Sequence, residues 1–235
     1  MTVHQCIAYG DCNTEGIRRF SGRLWAQRVA DALGMPLTNC GHTMSTTREL
    51  RHYASDYPPD QYRVAMIQYG LVDSWLTFRG APYVLYYPDS PRRRIARKFV
   101  KKLKKWVRRF QLQERLGAVE QVPLDEYLRS IKAVVKSAPS TLFVLVGTAP
   151  NLNETRNPRI RRYNAALKEL AGRCDNTLYV NAFEDLWARR DETLMPDGTH
   201  LTDAGHTVVA EKVISVLRPS LALLQRDAHR TPLSV

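Results

Sequence analysis

The sequence predicts a single α/β domain in which helices cover both faces of a parallel sheet. Short apolar runs rich in Val and Ile alternate with helical patterns along the chain, and parallel strands need crossover connections of this kind. In addition, 44% of the 235 residues are hydrophobic, which is enough for a substantial core at a length where one domain is more common than two. We expect the domain to span 1–225 and to be followed by a mobile tail, 226–235.

The predicted elements follow one another in alternating order. Strands are predicted at about 3–9, 35–39, 62–69, 141–148 and 177–181. Helices are predicted at about 16–33, 46–55, 91–112, 124–137, 158–173 and 203–224. Because parallel sheets bind ligands at the carboxyl ends of their strands, the turns after the first and third strands, 10–14 and 70–73, should meet at one edge.

The segment 79–123 is longer than a crossover needs, and we predict a basic helical insertion there. Between Arg92 and Arg109 stand eleven Lys or Arg and no Asp or Glu, so the rest of the chain holds 24 basic against 23 acidic residues. Eleven of the twelve net positive charges of the chain therefore belong to this one helix. Apolar residues recur along it at spacings of four, four, three and four, which predicts one apolar stripe: Ile95, Phe99, Leu103, Trp106 and Phe110.

The cysteines and the apolar runs exclude several classes of protein. Four scattered cysteines form none of the close pairs that a zinc site or a redox dithiol requires, and Cys6, Cys40 and Cys174 should be reduced structural thiols. No run reaches the roughly 18 to 20 consecutive apolar residues of a membrane helix, and Met1 to Gly10 is predicted as a strand and its turn, not a cleavable leader. We expect a soluble, cytoplasmic protein with no transmembrane segment and no metal or organic cofactor.

Two polar segments carry residues that suit nucleophilic catalysis. The segment 10–14 (Gly-Asp-Cys-Asn-Thr) follows the first strand, and the segment 197–200 (Asp-Gly-Thr-His) stands near the other end of the chain. A thiol at the first turn of a helix meets the positive end of the helix dipole, which should lower the pKa of Cys12 below the ~8.5 of a free cysteine. His200 would take and return the proton, while Asp197 would hold the imidazole tautomer and stabilise its cation.

The same segments resemble the SGNH (GDSL-type) esterases and acyltransferases, whose first block is Gly-Asp-Ser and whose last block has Asp and His three apart. The segments 39–50 and 70–73 look like the second and third blocks, so the resemblance covers nearly the whole chain. It implies a three-layer α/β/α, flavodoxin-like fold with a five-stranded parallel sheet. It also implies an acyl ester or thioester substrate, with Cys12 standing where the family has its serine.

The sequence departs from the family at its oxyanion hole, which is usually built from the nucleophile N–H, a glycine N–H and an asparagine side chain. Met44 takes the place of the glycine. In the turn from Gly70 to Asp73, Val72 takes the place of the asparagine and cannot donate. Losing one such donor typically costs about 2.7 to 4 kcal/mol of transition-state stabilisation. We expect these positions and Asp11 to border the substrate, with the two aspartates accepting backbone N–H bonds in their turns.

Two functions of different class stay open. An acyl-transfer enzyme would form a thioester on Cys12 and pass the acyl group to water, an amine or a hydroxyl, as an esterase, thioesterase or acyltransferase. A catalytically silent module of the same fold would use the basic helix, 92–109, to hold an acidic partner. An engineered serine-to-cysteine change would account for the thiol but not for Met44 and Val72.

The basic helix is compatible with several partners. The simplest hypothesis is a solvated amphipathic helix packed on the domain. It could instead form a lid over the active-site edge, dock an acidic carrier protein that bears a thioester-bound acyl group, or attach to an anionic membrane surface. Nucleic-acid binding is disfavoured, since no zinc-finger, helix-turn-helix or RNA-binding motif accompanies the charge.

Overall fold

The computed structural model describes residues 5–110 and 117–230, apart from the side chains of 108 and 224–230. Its strands in chain order are β1 (Cys6–Gly10), β2 (Leu37–Gly41), β3 (Val64–Gln68), β4 (Leu76–Phe78), β5 (Ala118–Glu120), β6 (Leu142–Val146) and β7 (Thr177–Val180). A parallel sheet has the order β2-β1-β3-β6-β7, whereas β4 and β5 form a separate antiparallel pair. The predicted five-stranded parallel sheet is confirmed.

The central strands are buried on both faces, because consecutive side chains point to opposite sides of a sheet. In β1, Cys6 and Ala8 pack on one side and Ile7 and Tyr9 on the other, and all four are fully buried. The strands β3 and β6 divide their side chains between the two faces in the same way. This double burial explains why the sequence carries continuous apolar runs at these strands.

Helices form the two outer layers of the fold. In chain order they are α1 (Cys12–Glu15), α2 (Trp25–Leu33), α3 (Thr47–Asp56), α4 (Pro91–Arg109), α5 (Leu124–Ser137), α6 (Asn157–Ala171), α7 (Phe183–Ala188), α8 (Arg190–Thr193) and α9 (Asp203–Arg230). The helices α2 and α9 pack on one face of the sheet, and α3, α5 and α6 pack on the other. The fold is therefore the predicted α/β/α arrangement.

Some boundaries differ from the prediction. The helix expected at 16–33 begins only at Trp25. The one-turn helix α1 precedes the predicted start and ends at Gly16, whose φ is 85°. The short helices α7 and α8 were not predicted. The last helix continues to Arg230, so the first part of the predicted tail is helical. The expected element ends at 3–4 and 111–112 and the last residues, 231–235, lie outside the described residues.

The insertion leaves and re-enters the domain at one place, because β4 pairs with β5 on either side of it. Its first part is fixed to the body of the domain by the fully buried carboxylate of Glu49 on α3. This carboxylate accepts the hydroxyl of Tyr83 and the N–H of Tyr86, each at 2.8 Å. These bonds position the chain that leads into α4.

Candidate functional site

The turn that carries Cys12 is defined by close packing between β1 and α1. Asp11 is the N-cap of α1, and its carboxylate accepts the N–H of Asn13 at 3.0 Å. A Cβ at position 10 would lie 2.1 Å from the hydroxyl of Thr14, so only Gly10 fits there. Cys12 is thus held at the start of α1, at the carboxyl edge of the sheet, with 5% of its surface exposed.

The surroundings of Cys12 keep its thiol protonated. Burial raises the pKa of Cys12 well above that of a free cysteine, and the neighbouring Asp11 raises it further. Asp11 is itself buried, and desolvation raises its pKa to about 7. The expectation that the helix dipole lowers the pKa of this thiol is therefore wrong, because a helix of one turn offers little compensation for burial.

The ring of His200 is oriented by Asp197 within one short loop. Nδ1 of His200 lies 2.7 Å from Oδ2 of Asp197, whose other oxygen accepts the N–H groups of Thr199 and His200 at 3.0 and 3.1 Å. Partial burial opposes ionisation of Asp197, but the bonds from the ring and from the two N–H groups outweigh it and lower the pKa of the carboxyl. Because Nδ1 is engaged by a carboxylate, Nε2 is the nitrogen left for proton transfer.

Asn13 joins the loop of His200 to the turn of Cys12. Its side-chain N–H donates to the carbonyl oxygen of Thr199 at 3.3 Å, and its side-chain oxygen accepts the N–H of Leu201 at 3.0 Å. Thr199 and Leu201 flank His200, so both neighbours of the histidine are bonded to the residue that directly follows Cys12. Two segments from opposite ends of the chain therefore meet at one edge of the sheet.

Met44 lies in a strained turn between β2 and α3. Its φ is 68°, in the left-handed region that favours glycine. The preceding residue is held by α1, because the N–H and the hydroxyl of Thr43 both donate to the carboxylate of Glu15. On the other side, the hydroxyl of Ser45 donates to the carbonyl oxygen of Gly10 at 3.0 Å. The turn thus keeps at position 44 the backbone conformation of a glycine, although a methionine occupies it.

The turn 70–73 is held against the start of α3 by Asp73. One oxygen of this carboxylate accepts the N–H and the hydroxyl of Thr47 at 2.9 and 2.7 Å, and the other accepts the N–H of Gly70 at 3.2 Å. Gly70 has a φ of 127°, and burial raises the pKa of Asp73 to about 6. Val72 is buried within this turn, and its side chain offers no donor.

Two backbone donors at this edge have no protein partner. In residues 5–110 and 117–230, neither the N–H of Cys12 nor that of Met44 donates to a protein acceptor. These are the two backbone groups that the sequence predicts for an oxyanion hole. Because valine stands at position 72, the candidate hole has two backbone donors and lacks the third, side-chain donor.

A cavity of about 430 Å³ lies between this edge and the basic helix α4. Met44 and Val72 line it on the side of the sheet, and the remaining wall combines aromatic, aliphatic and cationic side chains: Trp75, Leu76, Thr77, Tyr83, Val84, Tyr86, Arg97, Val100, Lys101, Lys104, Lys105 and Gln121. Trp75 and Thr77 belong to this wall. Their indole nitrogen and hydroxyl are buried and have no partner among the described residues.

The described part of the chain shows neither a metal-binding cluster nor a membrane-spanning helix. No group of three or more His, Cys, Asp or Glu there is arranged to hold a metal ion. Among the helices in residues 5–110 and 117–230, none combines the length and the apolar character needed to cross a bilayer.

Residues 8–208 match the GDSL-like lipase/acylhydrolase family, a range that includes both segments of the candidate site. The chain belongs to this family. This GDSL-like protein is similar in structure to the acetylxylan esterase Axe2 from Geobacillus stearothermophilus, with a TM-score of 0.61 at 18% identity over 92% of this chain and 95% of the other. A catalytic mutant of the same esterase gives a TM-score of 0.59 at 20% identity over the same shares. At such identities the likeness shows the fold. No curated protein matches the GDSL-like chain in sequence.

Sequence reasoning missed the residues that connect and surround the site of this GDSL-like protein. Asn13 was only one member of the first block, and no local pattern shows that its amide bonds to a loop 188 residues away. Trp75 and Thr77 carry no motif, and their unpaired polar atoms become visible only when the cavity wall is assembled. The length of the insertion was the one signal that pointed to this part of the site.

Proposed function

We propose that this GDSL-like protein is an acyl-transfer enzyme that works through a thioester on Cys12. In this mechanism His200 is the general base and then the general acid, Asp197 orients its ring, and the N–H groups of Cys12 and Met44 bind the oxyanion. The substrate is an acyl ester or thioester. The acyl group passes to water or to an amine or hydroxyl acceptor.

The observation that carries this proposal is the pair of hydrogen bonds from Asn13. They tie both neighbours of His200 to the residue after Cys12, while Asp197 occupies Nδ1 of the ring. His200 therefore keeps Nε2 for proton transfer, in a loop that is bonded to the residue after Cys12. Membership of an acylhydrolase family supports the same chemistry.

In the first step, Nε2 of His200 accepts the proton of the Cys12 thiol as the sulfur attacks the carbonyl carbon of the substrate. The electron pair of the carbonyl moves to its oxygen, which the two backbone N–H groups stabilise. The intermediate then collapses and expels the alcohol or thiol, which takes the proton from His200. Because burial disfavours a free thiolate, deprotonation is coupled to attack and does not precede substrate binding.

In the second step, the acceptor attacks the thioester carbon and gives its proton to Nε2 of His200. Collapse of this intermediate breaks the carbon–sulfur bond, and the Cys12 sulfur regains the proton from His200. The free thiol and the transferred acyl group are the products. Atoms and charge balance without a cofactor.

The cavity beneath α4 is the proposed place of the substrate. It adjoins Met44 and Val72, whose positions the sequence assigns to the oxyanion hole, and it is closed on the other side by α4. The lysines and the arginine that α4 adds to the wall favour a substrate or acceptor with negative charge.

The test is intact-mass analysis of the acyl-enzyme after mixing the protein with p-nitrophenyl acetate or an acetyl thioester and quenching with acid. Wild-type protein should gain the mass of one acyl group, and Cys12→Ala should gain none. Cys40→Ala is the matched control, since Cys40 is buried to the same degree (4% against 5% exposed) but lies in β2. We expect His200→Ala to slow acylation by about 10²- to 10⁴-fold.

The mechanism would be contradicted if Cys12→Ala still gained the acyl label. It would also be contradicted if Cys40→Ala slowed acylation as much as His200→Ala does. Circular dichroism of each variant separates loss of chemistry from loss of fold. An unlabelled wild-type protein would instead favour the second candidate function, a silent module of this fold. The missing donor at Val72 is the observation that favours this second candidate.

A further inference from the structure

The side of α4 that faces away from the domain is apolar. The five residues of the predicted stripe are between 42% and 69% exposed: Ile95, Phe99, Leu103, Trp106 and Phe110. These five, called the apolar stripe below, are more than half of the nine large hydrophobic residues that are exposed in the described chain. Contiguous exposed apolar surface of this kind marks an interaction site, whereas scattered single residues do not.

The opposite side of α4 holds the helix on the domain. Val107 is buried, Arg97 donates to the carbonyl oxygen of Leu85 at 2.7 Å, and the ammonium group of Lys104 donates to the side chain of Gln121 at 2.6 Å. The helix thus packs on the domain, with its apolar stripe on the outward side. The inward side combines Val100 and Val107 with Arg97 and Lys104, and the apolar stripe is left uncovered by the described residues.

Positive charge borders the apolar stripe. Lys98, Lys102 and Arg109 each follow a stripe residue by three positions, which places them beside it on the helix surface, and all three are exposed. The segment 92–109 has no acidic residue at all. A second copy of this chain would bring an identical cationic face against it, and like charges disfavour that contact. The positive charge favours an anionic partner, and the Phe, Trp and Leu side chains favour a partner that is also apolar.

We infer that α4 docks this protein on the surface of an anionic lipid bilayer. A helix with aromatic and aliphatic side chains on one face, bordered by Lys and Arg, lies in the plane of the headgroups, with its apolar face inserted and its cations against the lipid phosphates. The other side of α4 lines the cavity beside Met44 and Val72. Docking therefore brings the candidate site next to the bilayer, and it does so whether or not Cys12 is a nucleophile.

The test is co-sedimentation with vesicles, using Phe99→Ser/Trp106→Ser as the stripe variant. Wild-type protein should bind vesicles of equal parts phosphatidylcholine and phosphatidylglycerol and should not bind phosphatidylcholine alone. Binding should weaken as salt is raised, because the interaction is partly electrostatic. The stripe variant should bind the anionic vesicles about tenfold more weakly or worse.

Tyr57→Ser/Leu223→Ser is the matched control, because both side chains are exposed large hydrophobics outside α4. This control should bind as the wild type does. Equal binding by the stripe variant, or no binding of wild type to anionic vesicles, would overturn the inference. The inference would also be overturned if analytical ultracentrifugation showed a dimeric wild type and a monomeric stripe variant. That result would assign the apolar stripe to contact with a second copy of the chain. Stripe-dependent binding of polyglutamate without vesicle binding would assign it to an acidic protein.

Discussion

In the proposed mechanism, Val72 presents methyl groups where a side-chain N–H would stabilise the oxyanion. We predict that Val72→Asn raises kcat for hydrolysis of p-nitrophenyl acetate, because the amide adds a third donor beside the N–H groups of Cys12 and Met44. A single oxyanion donor is worth about 10² to 10³ in kcat. A gain of roughly 10- to 100-fold is expected for an amide added to a site not shaped around it.

Val72→Leu is the matched control for this substitution, since leucine has nearly the shape of asparagine without its N–H. Steady-state hydrolysis of both variants separates the donor from the change in volume. If the leucine variant gains as much as the asparagine variant, or if the asparagine variant loses activity, position 72 does not face the oxyanion.

At the scale of single residues, the sequence predicted where Cys12, Asp197 and His200 lie in the fold, because block order and strand ends fix those positions. It could not predict the protonation state of the thiol. The dipole argument considers only the local helix, whereas burial and the charge of Asp11 depend on the assembled core. The bonds of Asn13 to Thr199 and Leu201 were beyond prediction for the same reason.

Among the elements, the segment that leads into α4 depends on one buried carboxylate. We predict that Tyr83→Phe lowers the free energy of unfolding by about 1 to 3 kcal/mol, because it removes a hydroxyl donor from the fully buried Glu49. The same change should speed tryptic cleavage in α4, since the segment before the helix loses an anchor. Urea unfolding and timed proteolysis measure the two effects.

Tyr57→Phe is the control for the loss of a tyrosine hydroxyl, because Tyr57 is exposed and lies outside the insertion. It should leave both measurements near those of the wild type. Glu49 does not anchor the insertion if Tyr57→Phe destabilises the protein as much as Tyr83→Phe does. The same conclusion follows if Tyr83→Phe leaves the rate of proteolysis unchanged.

The helix α4 illustrates what a periodic pattern can and cannot predict about an element. The spacing of Ile95, Phe99 and Leu103 placed them correctly on one face, since this follows from helix geometry alone. It did not indicate which face meets the domain. That choice depends on partners supplied by other segments, such as the carbonyl of Leu85 and the side chain of Gln121, which bind Arg97 and Lys104.

For the whole molecule, the sequence predicted the layers and the strand class because double burial imposes continuous apolar runs and parallel pairing imposes alternation. Helix boundaries were less predictable where tertiary contacts intervene. The segment between α1 and α2 contains apolar residues such as Phe20, which packs on the buried His206 of α9 at 4.6 Å between ring centroids. Contacts to another helix, and not a local helical turn, account for apolar residues in that segment.

Buried carboxyls also make the stability of the whole molecule depend on pH. Desolvation raises the pKa of Asp11 to about 7, whereas an unfolded aspartate titrates near ~3.9. Between these values the folded state holds a proton that the unfolded state has lost, so the contribution of Asp11 to stability falls as pH rises from about 4 to 7. Asp73, with a pKa raised to about 6, acts in the same direction.

Asp11→Asn removes this titration and keeps a side-chain oxygen that can cap α1. We predict that the free energy of unfolding of the wild type, relative to Asp11→Asn, falls between about pH 4 and pH 7 by at most about 4 kcal/mol, and is flat above that range. Chemical unfolding of both proteins across this range gives the difference, and Asp175→Asn, at an exposed position, is the control. A difference that rises with pH would mean that the hydrogen bond from Asn13 stabilises the charged form more than burial disfavours it, and Asp11 would then be an ordinary ionised cap.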